Sequence, residues 1–345
     1  MFLHYIIIQL GCILIWEVLY STHVFFNRCT SMKKSLPVLL IVVLVFSVFG
    51  AICTPQKEKP VVVCTTTVLA SIVNDLAGDL VTIEVIASPA VCPAHYDVKP
   101  SDIEAFRKAD LILMHGFEPW VSELKQASGS TAPIVKIPGP WNAPSFLKAR
   151  YSAVADALKK YLGLDVSDRL AKCLKAVDDV DAYLKKLAEE KGFKGTPVVC
   201  MLWQKAFVSY LGFKVVAVYG PPEKVSAKQY EEILKNASAA KALLVIDNLQ
   251  SGEELSEKIA LEVGCVQVAL SNFPGIAPEL KNITEVMKWN AEQLAKALEI
   301  AELKGEINRL RGELETWKTA ALVASALAVV FLMASIFLAL KLRKK

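Results

Sequence analysis

The chain has 345 residues, of which 54% are apolar and 21% are charged. A soluble domain is about a quarter charged and somewhat under half apolar, so this composition indicates a membrane-associated protein. Its 39 Lys and Arg exceed its 35 Asp and Glu by only four, an excess too small to predict a nucleic-acid partner. The 16 Gly and 16 Pro are ordinary for this length and exclude fibrous and low-complexity proteins.

The N-terminal region contains two apolar blocks. Residues 1–31 are a doubtful apolar extension, either an extra membrane span or a stretch outside a protein that begins at Met32. We favour the second interpretation, because two lysines directly after Met32 precede an uncharged run over 36–53, which is typical of a secretory signal. That run is also about long enough to remain in the membrane. We therefore predict that residues 32–53 are a signal peptide or a signal anchor.

The C-terminal region predicts a transmembrane helix. Residues 319–340 form an uncharged run of 22 residues, followed by the basic tail 341–345. At 1.5 Å per residue this run crosses the roughly 30 Å hydrocarbon core. Basic residues stay on the cytoplasmic side, so we expect a cytoplasmic tail and an extracytoplasmic segment between the two membrane-associated ends.

Alternating short strands and helices predict two α/β lobes with parallel sheets covered on both faces. We expect a helix over 100–109, capped by Ser101 with Glu104 three residues later, and one long amphipathic helix between the lobes. The ligand crevice of such lobes lies at the carboxyl ends of the strands. The predicted strands are 61–64, 81–86, 111–114, 197–200, 214–218, 242–246 and 266–270. The predicted domains are an N-terminal lobe at 60–165, a linking helix at 166–191 and a C-terminal lobe at 195–298.

A charged helical stalk is predicted over 299–318. Its apolar residues follow one another at spacings of four and three, with Glu and Lys or Arg between them, as in a short coiled coil. Because two heptads are few, a lone helix and a weak stalk dimer both remain open. The apolar positions are Leu303, Ile307, Leu310, Leu314 and Trp317.

Residues 91–121 carry a recognisable order of motifs. His95 is followed by a Pro-Ser-Asp helix start at 100–102, a buried strand, Gly116 and a Glu-Pro-Trp triplet at 118–120. This order resembles the first-lobe signature of the TroA-like (cluster A-I) solute-binding proteins of zinc/manganese ABC transporters. The resemblance extends over about residues 60–298. It implies two doubly wound lobes joined by one helix, with a transition metal ion as cargo and an ABC permease and ATPase as partners.

The resemblance also implies four metal ligands, mostly His and carboxylate, and this chain departs from that set. His95 matches the first ligand, but the second falls near Trp141, where there is no His. The third falls on Gln204 and the fourth on Ser271. Zinc prefers imidazole, thiolate or carboxylate, so a neutral amide and a hydroxyl make a poor site.

Cysteines could supply replacement donors. Cys64 and Cys200 end the first strand of each lobe, and Cys92 lies three residues before His95. If these side chains converge on the crevice, their thiolates would suit Cu(I) or zinc. The alternative is that the buried cysteines are small apolar core residues, a common role for free Cys. Five cysteines after residue 54, without close spacing, argue against a disulfide framework.

Further side chains are expected at the crevice. His115 and Asn248 come at the ends of predicted strands, and Trp141 and Trp203 fall in predicted crevice loops. These side chains could contact a ligand; the alternative is that the histidine caps its strand and the aromatic residues only pack. Glu223 lies in a predicted turn and is an additional candidate.

Together these observations predict a membrane-anchored extracytoplasmic solute-binding protein that captures zinc, manganese or copper for an ABC importer. The alternative is a sensor or adhesion receptor that has the same fold but a degenerate metal site, and that binds a non-metal ligand or a partner. The sequence has no phosphate-binding loop, nucleophile elbow or HExxH motif, so we predict neither an enzyme nor an organic cofactor.

Overall fold

A computed structural model describes residues 58–342, and the predictions for the N-terminal 53 residues lie outside this range. The described strands are β1 (Val61–Cys64), β2 (Thr82–Val85), β3 (Leu111–Met114), β4 (Ile134–Lys136), β5 (Pro197–Met201), β6 (Lys214–Tyr219), β7 (Leu244–Asn248) and β8 (Val266–Leu270). They form two four-stranded parallel sheets, with the order β2-β1-β3-β4 in the N-terminal lobe, called lobe 1, and β6-β5-β7-β8 in the C-terminal lobe, called lobe 2. The helices are α1 (Thr67–Ala77), α2 (Pro100–Lys108), α3 (Val121–Ser128), α4 (Pro144–Leu162), α5 (Ser167–Glu190), α6 (Lys205–Tyr210), α7 (Ala227–Ala240), α8 (Glu254–Val263) and α9 (Ile283–Leu342).

The central strands explain why two α/β lobes form. The sequences VVVC in β1 and LILM in β3 are continuous apolar runs, and β3 is buried at every position. Such runs are typical of parallel strands covered by helices on both faces. The predicted fold class of two doubly wound lobes is therefore confirmed. The sequence did not predict β4, because a three-residue edge strand gives almost no periodic signal. The 19-residue helix α4 was also not predicted.

A single helix joins the lobes, as predicted. In α5, Val177, Val180 and Leu184 are buried, while the outer face carries ion pairs such as Lys175–Asp179. Apolar side chains from both lobes, from α5 and from the first turns of α9 form one continuous core. Both lobes thus pack against α5 and the start of α9.

The start of α2 differs from the prediction. Pro100, rather than Ser101, opens the helix, since proline lacks the N–H that would be unpaired at the first helical position. The carboxylate of Asp102 accepts hydrogen bonds from the Lys99 backbone N–H at 2.7 Å and from the Tyr96 hydroxyl at 2.9 Å. The predicted Ser101 cap is therefore wrong. Asp102 instead fixes the loop that carries His95.

The C-terminal helix α9 is continuous over 60 residues. Its first turns are buried against lobe 2, and from Glu299 onward almost every described residue is exposed. Among residues 58–342, α9 is the one helix long and apolar enough to cross a membrane. It is therefore a candidate anchor that rises directly from the second lobe.

Candidate functional site

The strand orders place the crevice between the lobes. In each sheet the chain starts at a central strand, β1 or β5, and later returns to its other side as β3 or β7. Ligands of doubly wound sheets bind outside the carboxyl ends at this point. The predicted site residues that end or follow these strands or the neighbouring β8 are His115, Trp203, Gln204, Asn248 and Ser271.

Buried amide side chains bond to one another beneath the crevice, with Asn272 at the centre. The Asn272 side-chain amide donates to Oδ1 of Asn248 at 3.2 Å, and its backbone N–H donates to Oε1 of Gln250 at 3.3 Å. Its own Oδ1 accepts from Nδ2 of Asn142 at 3.4 Å. All four residues are buried, and these neutral groups bond to one another, while Oδ1 of Asn142 has no hydrogen-bond partner among the described atoms.

This network joins the two lobes directly. Nε1 of Trp141 in lobe 1 donates to the Asn272 carbonyl at 2.9 Å, and Nδ2 of Asn142 donates to the Trp203 carbonyl at 3.0 Å. In the opposite direction, Nε2 of Gln250 donates to the Pro89 carbonyl at 3.0 Å. The floor of the crevice is therefore bridged by the protein's own groups.

Gln204 and Ser271, the predicted third and fourth ligands, meet at this floor. Gln204 is fully buried and its Nε2 donates to the Leu270 carbonyl, next to Ser271, at 3.4 Å. Oε1 of Gln204 has no hydrogen-bond partner among the described atoms. The Ser271 hydroxyl donates to the Phe273 carbonyl at 3.0 Å and accepts from Gln250 at 3.2 Å. The backbone of Ser271 is clamped by Asn290, which bonds to both its N–H and its carbonyl.

His95 lies at the mouth of the crevice instead. It ends a short helical turn, Pro93–His95, and its Nε2 is 3.7 Å from Oε1 of Glu223 in lobe 2. Both side chains are more than half exposed, at 59% and 52%. Trp120 fixes the turn by donating from Nε1 to the Pro93 carbonyl at 2.8 Å. His95 and Glu223 thus form an exposed ionisable pair with one member from each lobe.

His115 is buried inside lobe 1. Its Nδ1 is 3.3 Å from the Ile137 carbonyl, which can only accept, so Nδ1 carries the proton and Nε2 accepts from Thr66 at 2.9 Å. The ring stacks on Trp141 at 4.3 Å and on Phe117 at 5.5 Å between ring centroids. Burial lowers the pKa of His115 to about 4. At neutral pH His115 is therefore an uncharged ring that packs against Trp141, and both of its nitrogens form hydrogen bonds.

Glu118 of the Glu-Pro-Trp triplet braces the strand ends of lobe 1. Its Oε1 accepts from the Thr65 hydroxyl at 2.6 Å and from the His115 backbone N–H at 2.9 Å. Its Oε2 accepts from the Gly116 N–H at 2.7 Å. Gly116 has a φ of 103°, a conformation that side chains rarely allow. The carboxylate therefore holds the ends of β1 and β3 together.

The cysteines that could replace missing ligands lie mostly in the core. Cys64 and Cys200 have no exposed surface, and burial raises the pKa of both thiols far above its usual range. Cys200 donates its S–H to the Met201 carbonyl at 3.1 Å. Cys92 is half-buried beside the His95 turn. Across residues 58–342, no three His, Cys, Asp or Glu side chains group closely enough to hold a metal ion.

One buried carboxylate lies close to the floor of the crevice. Asp247 in β7 has no exposed surface, and its Oδ1 accepts from the Asn248 backbone N–H at 2.7 Å. Burial raises its pKa above the usual range of an aspartate. The crevice therefore contains few charged donors, and its residues do not fit the four-ligand set of His and carboxylate.

Comparison with known families identifies the family of this chain. Residues 62–297 match the family described as zinc-uptake complex component A, periplasmic (ZnuA). This chain belongs to the ZnuA family. The match covers both lobes and ends within α9, before the exposed part of that helix begins.

Solved structures share the two-lobed fold of the ZnuA family. A zinc-bound ZnuA with residues 138–173 deleted is 18% identical, with a TM-score of 0.60 over 70% of this chain and 98% of that protein. The periplasmic zinc-binding protein TroA from Treponema pallidum is 20% identical, with a TM-score of 0.59 over 70% of this chain and 99% of TroA. A manganese-bound periplasmic metal-binding protein from Candidatus Liberibacter asiaticus is 14% identical, with a TM-score of 0.62 over 70% and 100% of the two chains.

A curated relative matches a shorter region. An uncharacterised protein from Rickettsia prowazekii (strain Madrid E) is 31% identical over 103 residues, which are 27% of this chain. The match spans about a third, 34%, of that relative's length.

Sequence reasoning missed the residues that fill the crevice floor. Asn142, Gln250, Asn272 and Asn290 were not predicted, although Asn142 and Asn272 directly follow the predicted positions Trp141 and Ser271. The available signal was that an asparagine follows each of these two substituted ligand positions. That these amides form one network becomes visible only in the tertiary structure.

Proposed function

We propose that this ZnuA-family chain is a membrane-anchored extracytoplasmic solute-binding protein of an ABC importer, with a transition metal ion of the zinc/manganese class as its cargo. The observation that supports this proposal best is the pair of His95 and Glu223 at the mouth of the crevice. Imidazole and carboxylate are ligands of zinc and manganese, and the two side chains come from opposite lobes. An ion bound by both side chains would stabilise the closed arrangement of the two lobes relative to an open one.

The other predicted ligands contribute less to this proposed site. Cys92, half-buried beside His95, is the nearest soft donor along the chain. Gln204 and Ser271 offer neutral oxygens at the floor, and burial disfavours the thiolates of Cys64 and Cys200. Anchored by residues 319–340 of α9, the receptor would deliver the ion to a permease in the same membrane, with the ATPase driving uptake. The lobes would be extracytoplasmic and the basic tail cytoplasmic.

Metal analysis of the purified full chain in detergent tests the cargo. We expect one equivalent of zinc, manganese or copper, together with a raised melting temperature when Zn(II), Mn(II) or Cu(I) is added. His95→Ala should remove at least 90% of the bound metal, and Glu223→Gln should weaken binding about tenfold or more. Glu231→Gln, which changes an exposed carboxylate on α7, is the matched control and should bind as the parent does.

A second function is favoured by the amide network. The lobes are already bridged by Trp141, Asn142 and Gln250, and the bridging groups are neutral. This arrangement suits a sensor or adhesion receptor that has the family fold but a degenerate metal site, and that recognises a non-metal ligand or a partner. It predicts no metal in the parent and none of the melting shifts above.

The double variant Gln204→Glu and Ser271→Asp distinguishes the two functions. If the crevice is degenerate, placing two carboxylates at its floor should create zinc or manganese binding that the parent lacks, measured by elemental analysis. If the parent already binds one ion through His95 and Glu223 at the mouth, the double variant should keep that equivalent and still lose it on His95→Ala, because the new carboxylates lie at the buried floor. A parent that binds metal unaffected by His95→Ala would contradict both proposals.

A further inference from the structure

An apolar stripe runs along the exposed part of α9, between the second lobe and the uncharged segment. Its six side chains follow each other at spacings of three and four, which are the a and d positions of a heptad repeat. All are between 49% and 74% exposed, although they are large and apolar. The stripe consists of Ile300, Leu303, Ile307, Leu310, Leu314 and Trp317.

We propose that this stripe forms a parallel two-stranded coiled coil with a second copy of the chain. The residue types favour two strands, since Ile occupies the a positions 300 and 307 while Leu occupies the d positions 303 and 310. In parallel coiled coils, β-branched residues at a with Leu at d select dimers over larger bundles. A second copy therefore matches the stripe in shape.

The charges beside the stripe select the parallel direction. Glu306 and Glu313 occupy successive g positions, and Arg311 and Lys318 occupy the e positions that follow them. In a parallel pair each g residue faces the e residue of the next heptad in the other helix, so both glutamates meet a cation. In an antiparallel pair g faces g and e faces e, which would place like charges together.

The second lobe leaves this face free. Ala301 packs against the core, and Nζ of Lys304 donates to the Cys265 carbonyl at 3.1 Å. At about 100° per residue, Leu310 lies nine positions after Ala301 and so points to the opposite side of the helix. Glu299, the next g position toward the lobe, already pairs with Lys191 at 2.7 Å. The interchain ion pairs are therefore the two nearer the uncharged segment.

The stripe continues into that segment as Ala321, Ala324 and Ala328. Small residues allow helices to approach closely in a membrane. If α9 is the anchor of the proposed function, two copies enter the membrane in the same direction, which agrees with the parallel pairing. The dimer itself does not depend on which cargo the crevice takes.

Charge reversal tests the coiled coil in the full chain, with two affinity tags on co-expressed copies. One variant carries Glu306→Lys and Glu313→Lys, and the other carries Arg311→Glu and Lys318→Glu. Each variant should lose self-association at least about tenfold, because all of its interchain pairs become repulsive. The two variants together should co-purify as well as two parent copies, since every pair is again complementary.

The control changes a charge that pairs only within its own helix. Arg309, at a c position, contacts Glu306 and Glu313 of the same copy, so Arg309→Ala should leave co-purification unchanged. Parent copies that do not co-purify would overturn the proposal. So would variants that self-associate as strongly as the parent, because the contact between copies would then lie outside the stalk. Neither result depends on the metal analysis, so the two proposals fail separately.

Discussion

Replacing Glu118 by alanine is expected to lower the free energy of unfolding by about 3–5 kcal/mol. The carboxylate is 4% exposed and accepts three hydrogen bonds, from the Thr65 hydroxyl and from the backbone N–H groups of His115 and Gly116. Alanine leaves these three donors buried without an acceptor, at about 1–3 kcal/mol for each unsatisfied group. Equilibrium urea unfolding of the full chain in detergent, followed by tryptophan fluorescence, measures the loss.

Two further variants separate this bracing role from a general effect of charge. Glu118→Gln retains one acceptor oxygen and should cost about 1–2 kcal/mol. Glu123→Ala removes an exposed carboxylate from α3 and should change stability by less than about 0.5 kcal/mol. If Glu118→Ala is no more harmful than Glu123→Ala, the carboxylate does not hold the strand ends together.

The sequence predicted most of the fold because its strongest signals are local. The uninterrupted apolar runs of β1 and β3 indicate buried parallel strands, and the 3.6-residue pattern of α5 indicates the linking helix. The start of α2 was predicted wrongly, since Ser101 has the residue type of an N-cap while the helix already begins at Pro100, which has no N–H to leave unpaired. Local patterns identify which element forms more reliably than where it ends.

The crevice could be predicted only in part, because its bonds join residues that are distant in the chain. The family motif located Gln204 and Ser271, and the structure brings them to the same floor. The bond between Asn142 and Asn272, however, spans 130 positions, and no periodicity reports which two loops will meet. The same holds for His95 and Glu223, whose turns belong to different lobes. The neutral character of the floor therefore emerged only from the tertiary structure.

Stability should decrease as the pH falls from about 6.5 toward 4, because of His115. An ordinary histidine has a pKa of about 6.5, whereas burial lowers the pKa of His115 to about 4. Between these values the unfolded chain binds a proton that the folded chain does not, so acid favours unfolding. Above pH 6.5 both states are neutral and this contribution to instability disappears. This difference in the pKa of His115 between the unfolded and folded chain corresponds to a loss of about 3 kcal/mol in unfolding free energy at low pH.

The change in unfolding free energy between pH 7 and pH 4.5, compared between parent and His115→Gln, measures this effect. Gln can form hydrogen bonds but does not titrate, so the variant should lose most of this part of the pH dependence even if its stability at pH 7 is lower. Phe117→Leu is the matched control, because it disturbs the same stack and leaves the imidazole in place. It should lower stability by a similar amount at every pH. Equal slopes in the parent and in His115→Gln would mean that His115 is protonated in the folded chain, and Nε2 could then no longer accept the bond from Thr66.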